Sequence, residues 1–126
     1  MTVTDTAPAL LHNKAILIVE DETIVSFLIE DMLGELGCRE VWQASDVSEA
    51  LALLDTHKPD AVVLDANLSG QFTFPIATRL AQANIPFVFA TGYGRSGIPN
   101  EWMSRPVIQK PFTIETLEAA LRGLLT

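Results

Sequence analysis

The sequence predicts an α/β fold, a doubly wound five-stranded parallel sheet with helices on both faces. Two observations carry that expectation. Short apolar runs rich in β-branched residues recur along the chain, AILIV at 15–19, AVVL at 61–64 and FVFA at 87–90, and runs of this kind read as buried parallel strands. Stretches with helical apolar spacing alternate with them, which implies right-handed crossovers around a parallel sheet. A chain of 126 residues that is 48% hydrophobic supports one compact domain and is too short for two.

Residues 1 to 13 are polar, contain Pro8 and are expected to form a flexible arm, with the domain proper over 14–126. The first strand is Ala15 to Val19. A helix follows over Thr23 to Leu36, with Ile24, Leu28, Met32 and Leu36 repeating at i+4 as its apolar stripe, and Gly37 ends it. Glu40 to Ala44 is a short second strand. Asp46 with Glu49 predicts a capping box for a helix running to about His57, and Pro59 stops that helix before the third strand. Ser69 and Gly70 make a loop. Pro75 suits the first turn of a third helix. The fourth strand is Phe87 to Ala90 and the fifth Val107 to Gln109. Thr113 caps a last helix whose Ile114, Leu117, Leu121 and Leu124 alternate i+3 and i+4. Between strands four and five, three glycines and two prolines in TGYGRSGIPNEWMSRP oppose a full helix, so a fourth helix there is expected to be short or absent.

Charge and composition narrow the function classes. The formal net charge is −8, which disfavours nucleic acid and anionic membrane as partners. Cys38 is the single cysteine, so no internal disulfide forms, and a lone thiol among apolar neighbours fits a reducing cytoplasm. The first residues lack the pattern of a signal peptide, and no apolar stretch approaches the roughly 20 residues of a membrane span.

The informative polar residues sit at strand tips. Glu20-Asp21 follow the first strand, Asp65 ends the third, Thr91 follows the fourth, and Lys110-Pro111 follow the fifth. Open α/β sheets bind ligands at the carboxyl ends of their strands, so all of these converge on one site. Each taken alone has a plainer explanation: a strand-tip Asp more often caps a turn, and an acidic pair before a helix more often offsets its dipole. The four in this chain order, each ending an apolar run, form a consistent set.

That order resembles the receiver domain of two-component response regulators over nearly the whole chain. The resemblance implies a flavodoxin-like sheet of order 2-1-3-4-5. It also implies a phosphoacceptor at Asp65, which takes a phosphoryl group from a histidine kinase or a phosphotransfer protein. Three carboxylates at one sheet edge repel one another and call for a hard divalent cation, Mg²⁺ or Mn²⁺. By resemblance Asp21, Asp65 and the backbone carbonyl of Asn67 ligate it directly, and Glu20 acts through water. Lys110 pairs with a phosphoryl oxygen as a point charge, Pro111 follows it through a cis peptide bond, Thr91 donates its hydroxyl, and Gly92 leaves room for the group. Asn67 and Tyr93, each two residues past a site residue, are placed to set the lifetime of the aspartyl phosphate.

PFVFATGYG, followed by a Gly/Pro-rich stretch and QKPF, is similar to the FATGUY group of alphaproteobacterial receivers, which occur alone or beside stress-response regulators. One position departs from the wider family. Receivers ordinarily carry Tyr or Phe two residues before the Lys as a rotating switch, and here that residue is Ile108. With no output domain expected after Thr126, output is assigned to protein contacts through residues 92–105 and the last helix, or to a phosphoryl-sink role. Residues 92–105 are expected to be the most mobile region, with Trp102 either anchoring a partner or packing the loop onto the sheet.

Two other classes compete. A phosphohydrolase of the haloacid-dehalogenase type shares Asp, Thr, Lys and Mg²⁺, but places its nucleophile on the first strand with a second Asp two residues on, where this chain has Asn67. A flavodoxin-like nucleotide module needs a hydroxyl- and Gly-rich loop after strand one, where this chain has Glu20-Asp21-Glu22.

Overall fold

The computed structural model describes residues 11–93 and 98–125. Five parallel strands form one sheet: β1 Ala15–Val19, β2 Glu40–Ala44, β3 Ala61–Asp65, β4 Phe87–Thr91 and β5 Val107–Gln109. Their spatial order is 2-1-3-4-5, as the resemblance implies. The crossovers are α1 Thr23–Glu35, α2 Val47–Thr56 and α3 Phe74–Gln82, and α4 Ile114–Leu125 follows β5.

Strand alternation divides the core into two layers. Leu17, Val19, Val62, Leu64, Phe87 and Phe89 face α2 and α3, where they meet Val47, Ala50, Ile76, Ala77 and Leu80. Ile16, Ile18, Ala61, Val63, Val88 and Ala90 face α1 and α4, where they meet Ile29, Leu33, Leu117 and Leu121. The three inner strands are apolar on both sides because both sides are covered, which is why they read as continuous runs rather than as alternation.

Helix ends follow the local chemistry closely. Gly37 takes a left-handed conformation, φ 88°, after α1. There the Cys38 amide donates to Leu33 and the Gly37 amide to Gly34, a Schellman closure of orphan carbonyls. Asp46 caps α2 by accepting from the Glu49 amide at 2.7 Å. The reciprocal arm of the box is displaced by one residue, since Glu49 accepts from the Ser45 amide at 2.6 Å. Thr113 caps α4 by accepting from the Thr116 amide at 3.2 Å.

Three expectations are corrected or refined. The apolar stripe assigned to α1 is only half its core face: Leu36 is buried and Met32 packs against the core, but Ile24 and Leu28 are 75% and 53% exposed, while Ile29 and Leu33 are buried. The helix carries apolar residues around more than one side, so periodicity alone does not choose the side that meets the sheet. The fourth-helix expectation also needs adjusting. Four α-helices are present among the described residues, and the β4–β5 connection is not bare, because Asn100–Trp102 form a 3-10 turn. The end of the expected arm is packed: Leu11 is fully buried in the α1–α4 layer, while residues 1–10 lie outside the described residues.

The β4–β5 connection is held where it is described. Ile98 is buried, and Trp102 meets the rings of Phe87 and Phe89 at centroid distances of 6.1 and 6.3 Å. Arg105 lies 4.8 Å over the Phe87 ring. Trp102 thus packs the loop onto the sheet in this structure. Residues 94–97, within the segment expected to be mobile, lie outside the described residues. No helix among the described residues is long and apolar enough to cross a membrane.

Candidate functional site

The carboxyl edge of the sheet brings the predicted residues together. β1 ends at Val19 and delivers Glu20 and Asp21; β3 ends at Asp65 itself. Carboxylate oxygens of Glu20, Asp21 and Asp65 lie within 4.8 Å of one another. Glu20 and Asp65 are buried, with 4% and 6% exposure. Lys110, which follows β5 directly and precedes a cis Lys110–Pro111 bond, places its Nζ 3.0 Å from Glu20 Oε1 and 3.0 Å from Asp65 Oδ2.

This is a partly compensated cluster. Burial pushes the Glu20 carboxyl up to about 7, opposed by hydrogen bonds from the Glu22 amide and the Lys110 ammonium, and aided by the negative charge of Asp65. Burial pulls the Lys110 ammonium down, but its bonds to Glu20 and Asp65 and their charges outweigh it, so Lys110 is raised. The two shifts are compatible because Glu20 is the more deeply buried partner and bears more of the desolvation.

A testable consequence follows for the metal-free protein. A carboxyl raised on folding favours the native state below its ordinary value of 4.5, and that contribution is lost as pH rises through about 7. Glu20→Gln removes the penalty. The variant is expected to gain stability over wild type as pH climbs from 4.5 to about 7, reaching about 1 to 3 kcal/mol at pH 8. Urea unfolding in chelator across this range checks it, and parallel pH profiles for the two proteins would contradict the burial of an ionising Glu20.

The other predicted residues surround the acids. Thr91 is 3% exposed at the tip of β4. Its Oγ1 accepts from the Tyr93 amide at 3.1 Å through a lone pair, so that bond does not consume the hydroxyl proton. Its carbonyl accepts from the Lys110 amide at 2.8 Å, tying the β4 and β5 tips together. A Cβ at Gly92 would meet no atom within 4 Å, consistent with open space above the acids. Asn67 and Tyr93 line the same cleft as Asp65, Thr91 and Lys110, and Tyr93 is 79% exposed. Ile108 pairs with Ala90 in the sheet and is buried in the α1–α4 layer.

The sequence reading missed two site residues. The Ser69-Gly70 loop is the tip of a small hairpin in which Asn67–Leu68 pair antiparallel with Gln71–Phe72. Ser69 and Gly70 both have positive φ, 51° and 88°, the backbone of a two-residue hairpin turn. The hairpin aims the Ser69 hydroxyl at Asp21 Oδ2, to which it donates. The Ser-Gly dipeptide was the available signal, but nothing local pointed to a partner 48 residues away. The second is Thr73, whose hydroxyl donates to the Asp65 carbonyl at 2.5 Å.

A doubly wound sheet of this order, with three acids, a hydroxyl and an amine at its carboxyl edge, defines a phosphoryl-accepting class of signalling domain. The chain belongs to the response regulator receiver domain family, whose model matches residues 16–122. It is 30% identical over 112 residues to the transcriptional regulatory protein PdtaR of Mycobacterium tuberculosis, covering 86% of this chain and 55% of that protein. It is 27% identical over 120 residues to sporulation initiation phosphotransferase F of Bacillus subtilis, covering 91% and 96%. Among solved structures, SdrG from Sphingomonas melonis Fr1 superposes with a TM-score of 0.80 at 41% identity, covering 90% of this chain and 97% of that one. The chain spans about half the length of several curated relatives that it matches, PdtaR among them. Receiver domains are signalling modules of two-component systems rather than dedicated enzymes, and the family match does not favour the phosphohydrolase and nucleotide-module alternatives.

Proposed function

We propose that this protein accepts a phosphoryl group on Asp65 from a histidine kinase or a phosphotransfer protein and signals through the resulting change at the sheet edge. The observation that carries this reading is the placement of one ammonium, Lys110 Nζ, 3.0 Å from both Glu20 and Asp65 within a three-carboxylate cluster. A carboxylate oxygen of Asp65 attacks phosphorus, the P–N bond to the donor imidazole breaks, and its electron pair leaves with that ring. Lys110 meets the charge gathering on the transferred oxygens, and the Thr91 hydroxyl donates to one of them.

The donor set fits a hard divalent cation. Three close carboxylates present only oxygen, and a single lysine leaves them undercompensated. In this reading Asp21, Asp65 and the Asn67 carbonyl hold Mg²⁺ or Mn²⁺ directly, with Glu20 acting through water. The bound ion supplies further charge neutralisation to the phosphoryl oxygens.

Asn67 and Tyr93 flank the path by which water reaches the aspartyl phosphate, and in this reading they set its lifetime. The string 86–94, together with Pro111-Phe112, supports placement in the FATGUY group of receivers. The exposed Ile24, Phe27 and Leu28 of α1 offer an apolar face to the phosphoryl donor. Output is assigned to contacts of residues 92–105 and α4, with Ile108 replacing the usual aromatic switch, and a cytoplasmic location fits this role.

Phosphotransfer tests the reading. Wild-type protein with Mg²⁺ and a phosphorylated histidine kinase is expected to take up label that hydroxylamine releases and that maps to Asp65. Label on a serine, threonine or histidine would overturn it.

A further inference from the structure

Thr73 stands where a threonine normally caps a helix, immediately before α3, yet its side chain makes no capping bond. Its main chain does the local work instead: the carbonyl accepts from the amides of Ile76 and Ala77, each at 3.0 Å, and the amide donates to Ala66 at 3.3 Å. The hydroxyl points the other way and donates to the main-chain carbonyl of Asp65 at 2.5 Å. Thr73 is fully buried, with 0% exposure. A threonine that leaves the helix end uncapped forgoes a known stabilisation, so its hydroxyl is engaged elsewhere for a reason.

The sheet supplies that reason. The amides of Val62 on β3 and Ala66 just past it donate toward β4, to Pro86 immediately before that strand and to Ala90 within it. In a parallel strand alternate residues bond to opposite neighbours, so the Asp65 main chain faces β1. The β1–β3 ladder ends at the Val19–Leu64 pair, and the Glu20 amide turns away to Ala44 on β2. The Asp65 carbonyl therefore lies past the last rung, at a buried strand tip where an unpaired acceptor is costly. The Thr73 hydroxyl fills that place. It ties Thr73 back to a residue eight positions earlier, whose carboxylate sits at the centre of the site.

We infer that Thr73 is a positioning residue for phosphoryl acceptance, fixing the backbone of Asp65 so that its carboxylate is held against Lys110 and the neighbouring acids. This rests on the reading of Asp65 as the acceptor. Thr73 touches no transferred atom. It acts through the Asp65 backbone, and the carboxylate so positioned accepts from the Asn67 amide at Oδ1, 3.1 Å, and from Lys110 at Oδ2, 3.0 Å. Threonine suits the position because its methyl fills buried space while its hydroxyl supplies the donor that valine lacks.

The test uses the full chain with Mg²⁺ and acetyl phosphate, comparing wild type with Thr73→Val, Thr73→Ser and Thr73→Ala. Rates are expressed per folded molecule, using folded fractions from urea titration. Thr73→Ser is expected to stay within about twofold of wild type. Thr73→Val is expected to lower the maximal rate constant about tenfold while leaving half-saturation by acetyl phosphate unchanged, because a misplaced nucleophile slows the step without weakening donor binding. A purely structural role would lower the folded fraction and leave that rate constant alone. Wild-type rates in folded Thr73→Val would overturn the assignment. Should Thr73→Val not fold, equal rates for Thr73→Ser and Thr73→Ala would overturn it. A wild-type protein that takes no label on Asp65 sinks the acceptor reading itself, whereas labelled wild type with indifferent variants sinks this assignment alone.

Discussion

Asp65→Asn is expected to take up no measurable phosphoryl label under conditions that label wild type fully, a loss of at least about 10³-fold in rate. The amide nitrogen and oxygen occupy nearly the same volume as the carboxylate, so the fold should persist, and what is lost is the anionic nucleophile. A second readout comes from the same variant. The negative charge of Asp65 is one of the influences that raise Glu20, so the substitution should move the Glu20 titration back toward the ordinary carboxylate range. Carbon-detected NMR titration of Glu20 in chelator measures this directly. An Asp65→Asn protein labelled at the wild-type rate would defeat the acceptor assignment, and an unmoved Glu20 would show that the two acids are not electrostatically coupled.

Lys110→Ala is expected to separate two properties that the site normally combines. Lys110 is the cation that bridges Glu20 and Asp65, with both bonds at 3.0 Å. Without it, charge developing on the transferred oxygens loses a preorganised partner, and the rate of phosphoryl acceptance should fall by about 10²- to 10³-fold. Divalent-cation binding should move in the opposite direction. An ammonium this close to two of the acids opposes a second cation, so its removal should tighten Mg²⁺ binding at pH 8, as read by calorimetric titration. Loss of Mg²⁺ affinity in Lys110→Ala would mean that the lysine supports the metal site rather than competing with it. An unchanged rate of phosphoryl acceptance would remove Lys110 from the reaction.

Much of this protein was legible from its residues in order. The strands were readable because strands covered on both faces are apolar throughout, and Val107–Gln109 appears at the expected positions despite being only three residues long. The caps at Asp46 and Thr113 were readable because capping is decided within four residues. The convergence of Glu20, Asp21, Asp65, Thr91 and Lys110 on one edge followed from their places at strand tips, since a parallel sheet sends every carboxyl end the same way.

What tertiary structure alone decided is the choice among partners that local pattern leaves equal. The α1 sequence offers apolar residues around more than one side, and only the position of the sheet selects Ile29 and Leu33 over Ile24 and Leu28. Trp102 sits in a stretch whose glycines and prolines say nothing of its neighbours, and the rings of Phe87 and Phe89 on β4 hold it. Ser69 reads as half of a turn and nothing local singles out Thr73, yet their hydroxyls go to Asp21 and Asp65. The physical reason is common to these cases. Periodicity and capping are short-range properties of the chain, whereas a hydroxyl or a ring is committed by whichever unsatisfied group or open surface folding brings within reach, and separation along the sequence does not encode that distance.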